Sequence, residues 1–496
     1  MGADASKGVP LQGGDFRLTC LNGFGDGWNH YAHSMAWFRG KIYVGTSRAQ
    51  LAALRLAGQR KGVRPWPIES PDDIYDIDRR AQIWEYTPET DEWRLAYRSP
   101  VVHGNNGRDD VPSYIGFRGM AVIQDTSDAE PCLYISSWSP HTAHSPDVLR
   151  TADGVSYAAI ARPPFGVAVR TCRALEYFDG RAHLSPTASG TKKGFNQDIS
   201  SEAVIYGCAD MGRGEWVPVN EEGFGNKANG TVFELVQFND HLYGGTVNPV
   251  TGTEIWKTKG GKPPYTWTKV LDCGAGRGRL NEGSGSMCVF KGALYVGCGI
   301  INGGYHRAAK IGPAAAEMIR IWPDDSWDLI AGEARHTPWG LKFPLSGMGP
   351  GMDSLFNGYF WRLCEHQGWL YAGTFSWAMM IPYMAVNRWP EDMLTLLRRW
   401  GDQEFVARFG GAELWRSPDG VHWQPVTRNG FGNKFNWGIR NIVSTPHGLF
   451  VATANPFGPK VAVKREGRWQ YVPNPRGGCE VWLGSTAADA LPVQPQ

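Results

Sequence analysis

The chain has 496 residues, with 50 lysines and arginines against 48 aspartates and glutamates, so its formal net charge is only +2. This balance argues against broad binding to nucleic acid or to anionic membranes, since both require a sustained basic surface. Glycine (63), proline (33) and tryptophan (22) are abundant, and many turns combined with many aromatic residues are typical of an all-β protein.

The amino-terminal residues and the cysteines indicate where the protein works. The first ten residues contain no apolar segment, so we expect no secretory signal. The longest apolar run, residues 377–386, is interrupted by Pro382 and is too short to span a bilayer. The nine cysteines include no C-x-x-C pair, and their odd number and scattered spacing favour reduced thiols. Together these features predict a cytoplasmic protein.

The first predicted strand, FRLTC at residues 16–20, has no partner strands before it. Phe16 stands seven residues before Gly23, a spacing that recurs between a Trp and a Gly at three later points: 216/223, 267/274 and 423/430. The segment therefore has the pattern of an outer strand followed by its exit loop. At the other end of the chain, residues 439–483 contain three predicted strands and lack a fourth. We expect the amino-terminal strand to supply it.

One phrase recurs along the chain and predicts a β-hairpin with Gly, Asn or Asp in its turn. Its copies are FRGKIYVGT (38–46), CLYISS (132–137), FDGRAHLSPT (178–187), FNDHLYGGT (238–246), FKGALYVGC (290–298), HQGWLYAGT (366–374) and PHGLFVAT (446–453). Strands built on an apolar residue and a Trp follow most copies, as at Trp84, Trp256 and Trp415. Four short strands repeated seven times predict a seven-bladed β-propeller, a single domain of residues 1–496 closed by the amino-terminal strand. Two separate β domains would not explain why the chain begins with a strand that has no partners and ends with a repeat that lacks one strand.

Two insertions interrupt this rhythm. Residues 47–82 include a predicted helix at 50–57 and the acidic string PDDIYDID, and residues 376–411 include PEDMLTLLRRWGDQEFVARFGG. In the second insertion, Pro390 and two acidic residues precede apolar residues at three- and four-residue spacing, which predicts an amphipathic helix. Insertions on one face of a repeat protein often form a lid or a binding wall; helices that only pack on the blade edges remain the alternative.

The segments SPDGVHW (417–423) and TADGVSY (151–157) resemble the Asp-box, or bacterial-neuraminidase repeat, and the hairpin phrases are similar to those of kelch-like propellers. The resemblance implies the fold, and an Asp carboxylate that stabilises a turn. Sialidases share the Asp-box, but their Phe-Arg-Ile-Pro segment and arginine triad are not recognisable here. Some natural-product enzymes of the cylindrocyclophane-alkylating type use a similar propeller, although their calcium-binding glycine-rich repeats are missing from this sequence. Fold alone does not imply function.

Three loops before predicted inner strands share a motif: GFGDGWN (23–29), GFGNKAN (223–229) and GFGNKFN (430–436). We expect Asn29, Asn229 and Asn436, which end them, to lie at equivalent points near one mouth of the channel. There they contact a ligand or, as the alternative, cap turns.

Charged residues near the predicted starts of inner strands are unusual, because such positions are normally apolar. Seven-fold geometry would bring these side chains together at the channel mouth, where clustered guanidinium groups need counter-charges. A bound carboxylate or phosphate would supply them; carboxylates of neighbouring blades are the alternative. The candidates are His33, Arg118, Arg173, Arg362 and Arg440, and the alternative partners are Glu176, Glu234, Glu282 and Glu365.

The sequence predicts no cofactor, because it contains no P-loop and no G-x-S-x-G nucleophile elbow. A divalent metal remains open through the histidine pairs 30/33 and 141/144, or through calcium at the acidic residues 72, 73, 76 and 78.

The preferred function is a small-molecule enzyme of the lyase, cyclase or alkylating type that binds an anionic, partly aromatic substrate. Its proton transfers would use His30, Tyr31 or His33. A non-catalytic propeller that binds a glycan or a protein is the alternative, and a metal-dependent propeller lyase is a further one. A small anionic partner is expected, with no nucleic acid and no membrane; the sequence predicts no oligomeric state.

Overall fold

The computed structural model describes residues 8–56, 63–166, 169–187, 203–301, 303–306, 309–385 and 391–486. The protein is an all-β structure dominated by antiparallel sheet. Its chain forms two compact units. The central unit contains residues 33–46 and 80–363, and the terminal unit contains the remainder, including both chain ends. The unit boundaries fall within the strands Asn29–Phe38, Lys41–Arg48 and Asn357–His366.

The central unit is built from successive antiparallel meanders, each formed by strands that follow one another in the chain. We name these sheets A to E. Their strands are Asn29–Phe38, Lys41–Arg48, Gln82–Thr87 and Glu92–Arg98 (A); Gly116–Ile123, Cys132–Trp138, Val148–Thr151 and Ala158–Ala159 (B); Thr171–Phe178, Arg181–Thr187, Tyr206–Cys208 and Trp216–Pro218 (C); Thr231–Phe238, His241–Val247, Ile255–Thr258 and Thr268–Leu271 (D); and Gly283–Phe290, Ala293–Gly299, Met318–Ile321 and Trp327–Ala331 (E).

Consecutive sheets of the central unit bury apolar side chains against each other. One cluster joins Tyr43 of sheet A to Phe117 of sheet B, and another joins Tyr243 of sheet D to Leu294 of sheet E. Successive residues of one strand enter different layers: Leu133 and Ile135 pack in the layer with sheet A, and Tyr134 packs in the layer with sheet C. The repeated aromatic-x-Gly phrases therefore supply the core between sheets.

The terminal unit contains two further meanders. Sheet F has the strands Trp369–Ser376, Leu414–Ser417 and Gln424–Thr427, preceded in the chain by Asn357–His366. Sheet G has Gly438–Thr445, Gly448–Ala454, Val481–Gly484 and, as its fourth strand, the amino-terminal Phe16–Cys20.

The pairing of the chain ends agrees with the expectation from the sequence. Phe16 lies opposite Gly484 and Cys20 opposite Val481, in antiparallel register. Phe16 is 7% exposed, and its ring centroid lies 5.1 Å from that of Phe431. The strand thus covers an edge of sheet G and completes its apolar layer.

The remaining elements are short hairpins and helices, and both predicted helices are present. The first runs over Gln50–Leu56, with Ala57 outside the described residues. The second runs over Glu391–Phe409, with a break at Gly401, whose φ is 74° and ψ 159°; Pro390 lies outside the described residues. No described helix is long and apolar enough to cross a membrane. The others are the helical turns Gly13–Asp15, Asn22–Gly25, Ile74–Asp76, Glu222–Gly225, Cys273–Gly276, Gly278–Asn281, Pro350–Asp353 and Ala378–Tyr383, and the hairpins Val101–Val102/Val111–Pro112, Arg335–Thr337/Gly340–Lys342 and Lys460–Arg465/Arg468–Pro473.

Both Asp-box-like segments form tight turns between the last two strands of their sheets, B and F. The backbone N–H groups of Ser156 and Val155 donate to Asp153 Oδ1, both at 2.8 Å, and hold the pKa of that carboxyl well below its ordinary value. Asp419 accepts the equivalent bonds from Val421 and His422. All nine cysteines are unpaired thiols.

A repeated hydrogen-bond network, which we call the Asn–Glu network, fixes the glycine loops to the third strands. In sheet D, Asn229 Nδ2 donates to the carbonyl oxygen of Gly223 at 2.9 Å and to Glu254 Oε2 at 2.6 Å. Glu254 also accepts from Asn226 and from the indole of Trp256, both at 2.9 Å.

The loop backbone explains the glycine in this network. Gly223 and Phe224 both have positive φ, 63° and 56°, a region that glycine occupies at little cost. The Phe224 ring stacks on Trp256 at 4.9 Å, so packing offsets the strain at the second position. The same arrangement joins Gly274, Asn281 and Glu317, and it recurs in the terminal unit with Gly430, Asn436, Glu480 and Trp482.

We predict that deleting residues 1–22 lowers the melting temperature substantially, because it unpairs the edge strand Val481–Gly484 and exposes its apolar neighbours. Phe16→Ala should reproduce much of this loss, about 3–5 kcal/mol, by emptying a packed aromatic position. The exposed Arg17 gives a matched control within the same strand: Arg17→Ala should change the unfolding free energy by about 0.5 kcal/mol or less. Equal melting of the truncated and full-length chains would show that the pairing does not contribute to stability.

Glu254→Ala should destabilise the protein by about 2–4 kcal/mol in denaturant unfolding, because it leaves one buried and two partly buried donor groups without their acceptor. Glu222 lies in the adjoining loop and is exposed, so Glu222→Ala is the matched control and should change stability by about 0.5 kcal/mol or less. A similar effect of both substitutions would contradict a structural role for the network.

Candidate functional site

Local irregularities in the first strands of sheets B, C and G position Arg118, Arg173 and Arg440. Pairing within sheet B shifts register between Phe117 and Gly119, and that within sheet C between Cys172 and Leu175. Arg118 and Arg173 therefore lie at β-bulges, as does Arg440 in sheet G of the terminal unit. A bulge inserts one unpaired residue and redirects its side chain, so it is a common device near functional sites.

Arg118 and His33 form a buried pair in the central unit. Arg118 Nε donates to His33 Nε2 at 3.2 Å, and the two residues are 7% and 3% exposed. The indole of Trp138 lies against both, 5.3 Å from the guanidinium carbon and 5.9 Å from the imidazole centroid. Because Nε2 accepts this bond, the imidazole in this arrangement is neutral and carries its proton on Nδ1.

Arg173 and Arg362 share a single carboxylate. Arg173 Nε lies 3.8 Å from Glu234 Oε1, and Arg362 Nη1 lies 3.9 Å from Glu234 Oε2. Both distances exceed the hydrogen-bond range. The guanidinium of Arg173 lies 3.3 Å from the centroid of the Phe233 ring, a cation–π contact. Glu234 was one of four carboxylates considered from the sequence as counter-charges, and it forms long ion pairs with both Arg173 and Arg362.

Arg362 does not have the strand position that the sequence suggested. Its strand begins at Asn357, so Arg362 is the sixth residue rather than one of the first. The single pairing of Gly299 with Tyr359 joins sheet E to the next strand in the chain, just as the single pairing of Trp138 with Thr171 joins sheet B to sheet C. Counting from these bridges, Trp361 corresponds to Arg173, and Arg362 stands one residue further along. His33 is likewise the fifth residue of its strand.

The three loop asparagines direct their amides into the protein. Asn29, Asn229 and Asn436 each donate Nδ2 to a loop glycine carbonyl at 2.8–2.9 Å. Asn29 Oδ1 accepts from Arg48 at 2.8 Å, and Asn229 Oδ1 from Asn248 at 3.0 Å. These contacts are those of turn-capping residues, the alternative considered for them from the sequence.

His30, Tyr31 and Arg440 lie in the terminal unit. His30 is fully buried, its Nε2 lies 3.3 Å from the carbonyl oxygen of Gly458, and burial lowers its pKa to about 3. A base with so low a pKa is poorly matched to proton transfer near neutral pH. The Tyr31 ring centroid lies 6.3 Å from that of Trp437, and Arg440 is 1% exposed.

Some of the other residues considered for metals are engaged in local contacts. His144 Nδ1 lies 2.6 Å from the carbonyl oxygen of Ser145, and Asp73 accepts from the N–H of Tyr75 at 3.0 Å. Burial, followed by the nearby Arg170, lowers the pKa of His141. Across the described part of the chain, no group of three or more His, Cys, Asp or Glu side chains is arranged to hold a metal ion.

Sequence reasoning missed two sets of buried residues. The first contains the glutamates of the Asn–Glu network, although a repeated signal was present: Glu254 and Glu480 each stand two residues before a Trp. The second is the buried His306, whose Nδ1 lies 2.7 Å from Oε1 of the buried Glu282, a carboxylate considered from the sequence only as a counter-charge for the arginines. No repeat marks His306, so this contact had no sequence signal.

Comparisons with known proteins find only remote similarities. No protein-family model matches the chain, and no curated protein matches it. Among solved structures, a prolyl endopeptidase is 8% identical, with 92% of this chain and 52% of that chain covered and a TM-score of 0.39. A puromycin hydrolase is 10% identical, with 92% and 56% covered and a TM-score of 0.43. An α-L-arabinofuranosidase from Fusarium graminearum, in complex with an iminosugar inhibitor, is 11% identical, with 75% and 94% covered and a TM-score of 0.39. The chain thus spans only about half the length of the first two, and these similarities are too remote to assign a family or an activity.

Proposed function

We propose that the seven repeats form one β-propeller domain, of the kelch-like and Asp-box type, closed by the strand Phe16–Cys20. The repeated meanders and the pairing of the chain ends support this arrangement. Bridges between successive sheets support it further, such as Thr171 with Trp138 in the central unit and Gly438 with Phe375 in the terminal unit. In such a fold the first strand of each repeat surrounds a common channel.

The function proposed for this channel is recognition of a small anionic molecule, and Arg362 is the residue that carries the proposal. Its side chain is 26% exposed, its only described ion pair is the 3.9 Å contact with Glu234, and its buried Nε has no described hydrogen-bond partner. A guanidinium with unused donors is suited to bind a carboxylate or phosphate in a bidentate manner. Arg173 shares Glu234 and would stabilise the same anion.

The chemistry proposed for this site is proton transfer without a redox cofactor, in a lyase, cyclase or group-transfer reaction. His33 is proposed as the proton acceptor in preference to His30, because burial lowers the pKa of His30 to about 3, whereas Arg118 holds the His33 imidazole in one tautomer. A proton gained on Nε2 would displace the Arg118 hydrogen bond and place two cations side by side. A nearby substrate anion would offset that repulsion.

We predict that benzoate, a small aromatic carboxylate, binds the protein at low ionic strength, as measured by titration calorimetry. Arg362→Met should weaken binding at least tenfold, since it removes the donors while keeping most of the volume. Glu234→Gln should strengthen binding, because it removes the competing carboxylate. Opposite changes in benzoate affinity in these two variants would identify the cluster of Arg173, Arg362 and Glu234 as the anion site.

Arg213 is an exposed arginine whose described ion pair is with Asp210, so Arg213→Met is the matched control and should leave benzoate affinity unchanged. Melting temperatures of all three variants are recorded alongside. If Arg362→Met and Glu234→Gln both lower the melting temperature and neither changes benzoate binding, the cluster is structural and the proposed function is wrong.

For turnover, we expect that the wild-type protein consumes at least one compound in a panel of anionic metabolites followed by mass spectrometry. His33→Asn should abolish that consumption while the compound still binds. His103, whose side chain is 70% exposed, provides the control variant His103→Asn, which should remain active. Binding without consumption by the wild-type protein would favour the non-catalytic alternative.

A further inference from the structure

A cavity of about 380 Å³ lies within the terminal unit, and the function proposed above does not use it. One wall comes from the first insertion, which is docked by the pairing of Ile68 with Val461 and by the Glu69 N–H donating to the carbonyl oxygen of Lys460 at 3.2 Å. The lining residues are Trp28, Glu69, Ser70, Pro71, Asp76, Ile77, Pro459 and Lys460. The first insertion thus contributes one wall of this cavity.

The charges of the lining residues do not cancel. Lys460 Nζ lies 2.5 Å from Glu69 Oε2, so these two compensate each other. The carboxylate of Asp76 has no hydrogen-bond or ion-pair partner among the described residues. The nearby cation Arg55 is engaged with the carbonyl oxygens of Ser70 and Pro71 and with Asp72. The cavity therefore carries one uncompensated negative charge.

The apolar part of the lining offers an aromatic surface. Trp28 is partly buried, and the rings of Pro71 and Pro459 and the side chain of Ile77 complete the apolar wall. His30 lies behind Trp28, with ring centroids 5.8 Å apart. Because burial lowers its pKa to about 3, His30 is neutral at physiological pH and does not repel a cation at the indole.

We propose that this cavity binds a small organic ammonium ion, with its cationic group against the indole of Trp28 and paired with Asp76. An aromatic face attracts a cation through its quadrupole, and quaternary ammonium groups are bound in this way because they cannot donate hydrogen bonds. The uncompensated Asp76 supplies the counter-charge, and the proline rings contact the methyl groups. This site is independent of the arginine cluster.

Choline serves as the probe, and its neutral isostere, in which carbon replaces the charged nitrogen, tests the charge requirement. By titration calorimetry, choline should bind at least tenfold more tightly than the isostere. Trp28→Ala and Asp76→Asn should each weaken choline binding at least tenfold, and Trp28→Phe should retain more affinity than Trp28→Ala because it keeps an aromatic face. Asp73→Asn is the matched control on the same turn and should bind choline like the wild type.

Melting temperatures measured on the same samples separate loss of binding from loss of fold, and Trp28→Phe keeps the test valid if Trp28→Ala does not fold. The proposal is overturned if the wild-type protein binds choline no better than the neutral isostere. It is also overturned if methyl glucoside binds as tightly as choline, since the cavity would then recognise a sugar rather than a cation.

Discussion

Close approach between the inner strands of successive sheets is the constraint on which the rest of the central unit depends. A Cβ added to Gly119 would lie 2.7 Å from the carbonyl oxygen of Arg173, and one added to Gly285 would lie 2.6 Å from that of Phe360. Backbone atoms cannot move aside as a flexible side chain does, so a larger residue would separate the sheets. Ser34 uses the same proximity to donate to the carbonyl oxygen of Phe117 at 2.8 Å. Small residues thus set the spacing that the apolar layers then fill.

Arg118 and Arg173 lie at bulges in these closely spaced strands. Arg118 and Arg173 can place charged groups among the inner strands because each lies against an aromatic ring, Trp138 or Phe233. Arginine is less strongly hydrated than lysine and stacks on such rings, which reduces the cost of its burial. The aromatic contact does not neutralise the charge, however, and Glu234 is one carboxylate for two arginines. Glu234 is thus the carboxylate that the described ion pairs of Arg173 and Arg362 have in common.

The sequence was most informative where a pattern repeats. The hairpin phrases placed the strands, and the spacing from Phe16 to Gly23 identified the partner of the amino-terminal strand, because both depend on local alternation and turn chemistry. The counter-charges were harder to assign, since Glu234 reaches arginines that are distant in sequence and nothing in the spacing selects it from four candidates. The position of Arg362 within its strand was also mispredicted. Asparagine is typical of loops, so the sequence did not show that the strand already begins at Asn357.

The polar groups of this protein are of two kinds, and the difference explains why we propose an arginine rather than the loop asparagines as the anion-binding residue. Glu254 accepts from three side chains, and Asn229 uses both its amide nitrogen and its amide oxygen. A network satisfied in this way gains nothing by opening toward a ligand, because every new bond would replace an existing one. Arg362 is in the opposite state, with a long ion pair and an unused Nε. Binding energy is available where the folded protein has left donors unsatisfied, so the proposed anion site rests on Arg362 rather than on the glycine loops.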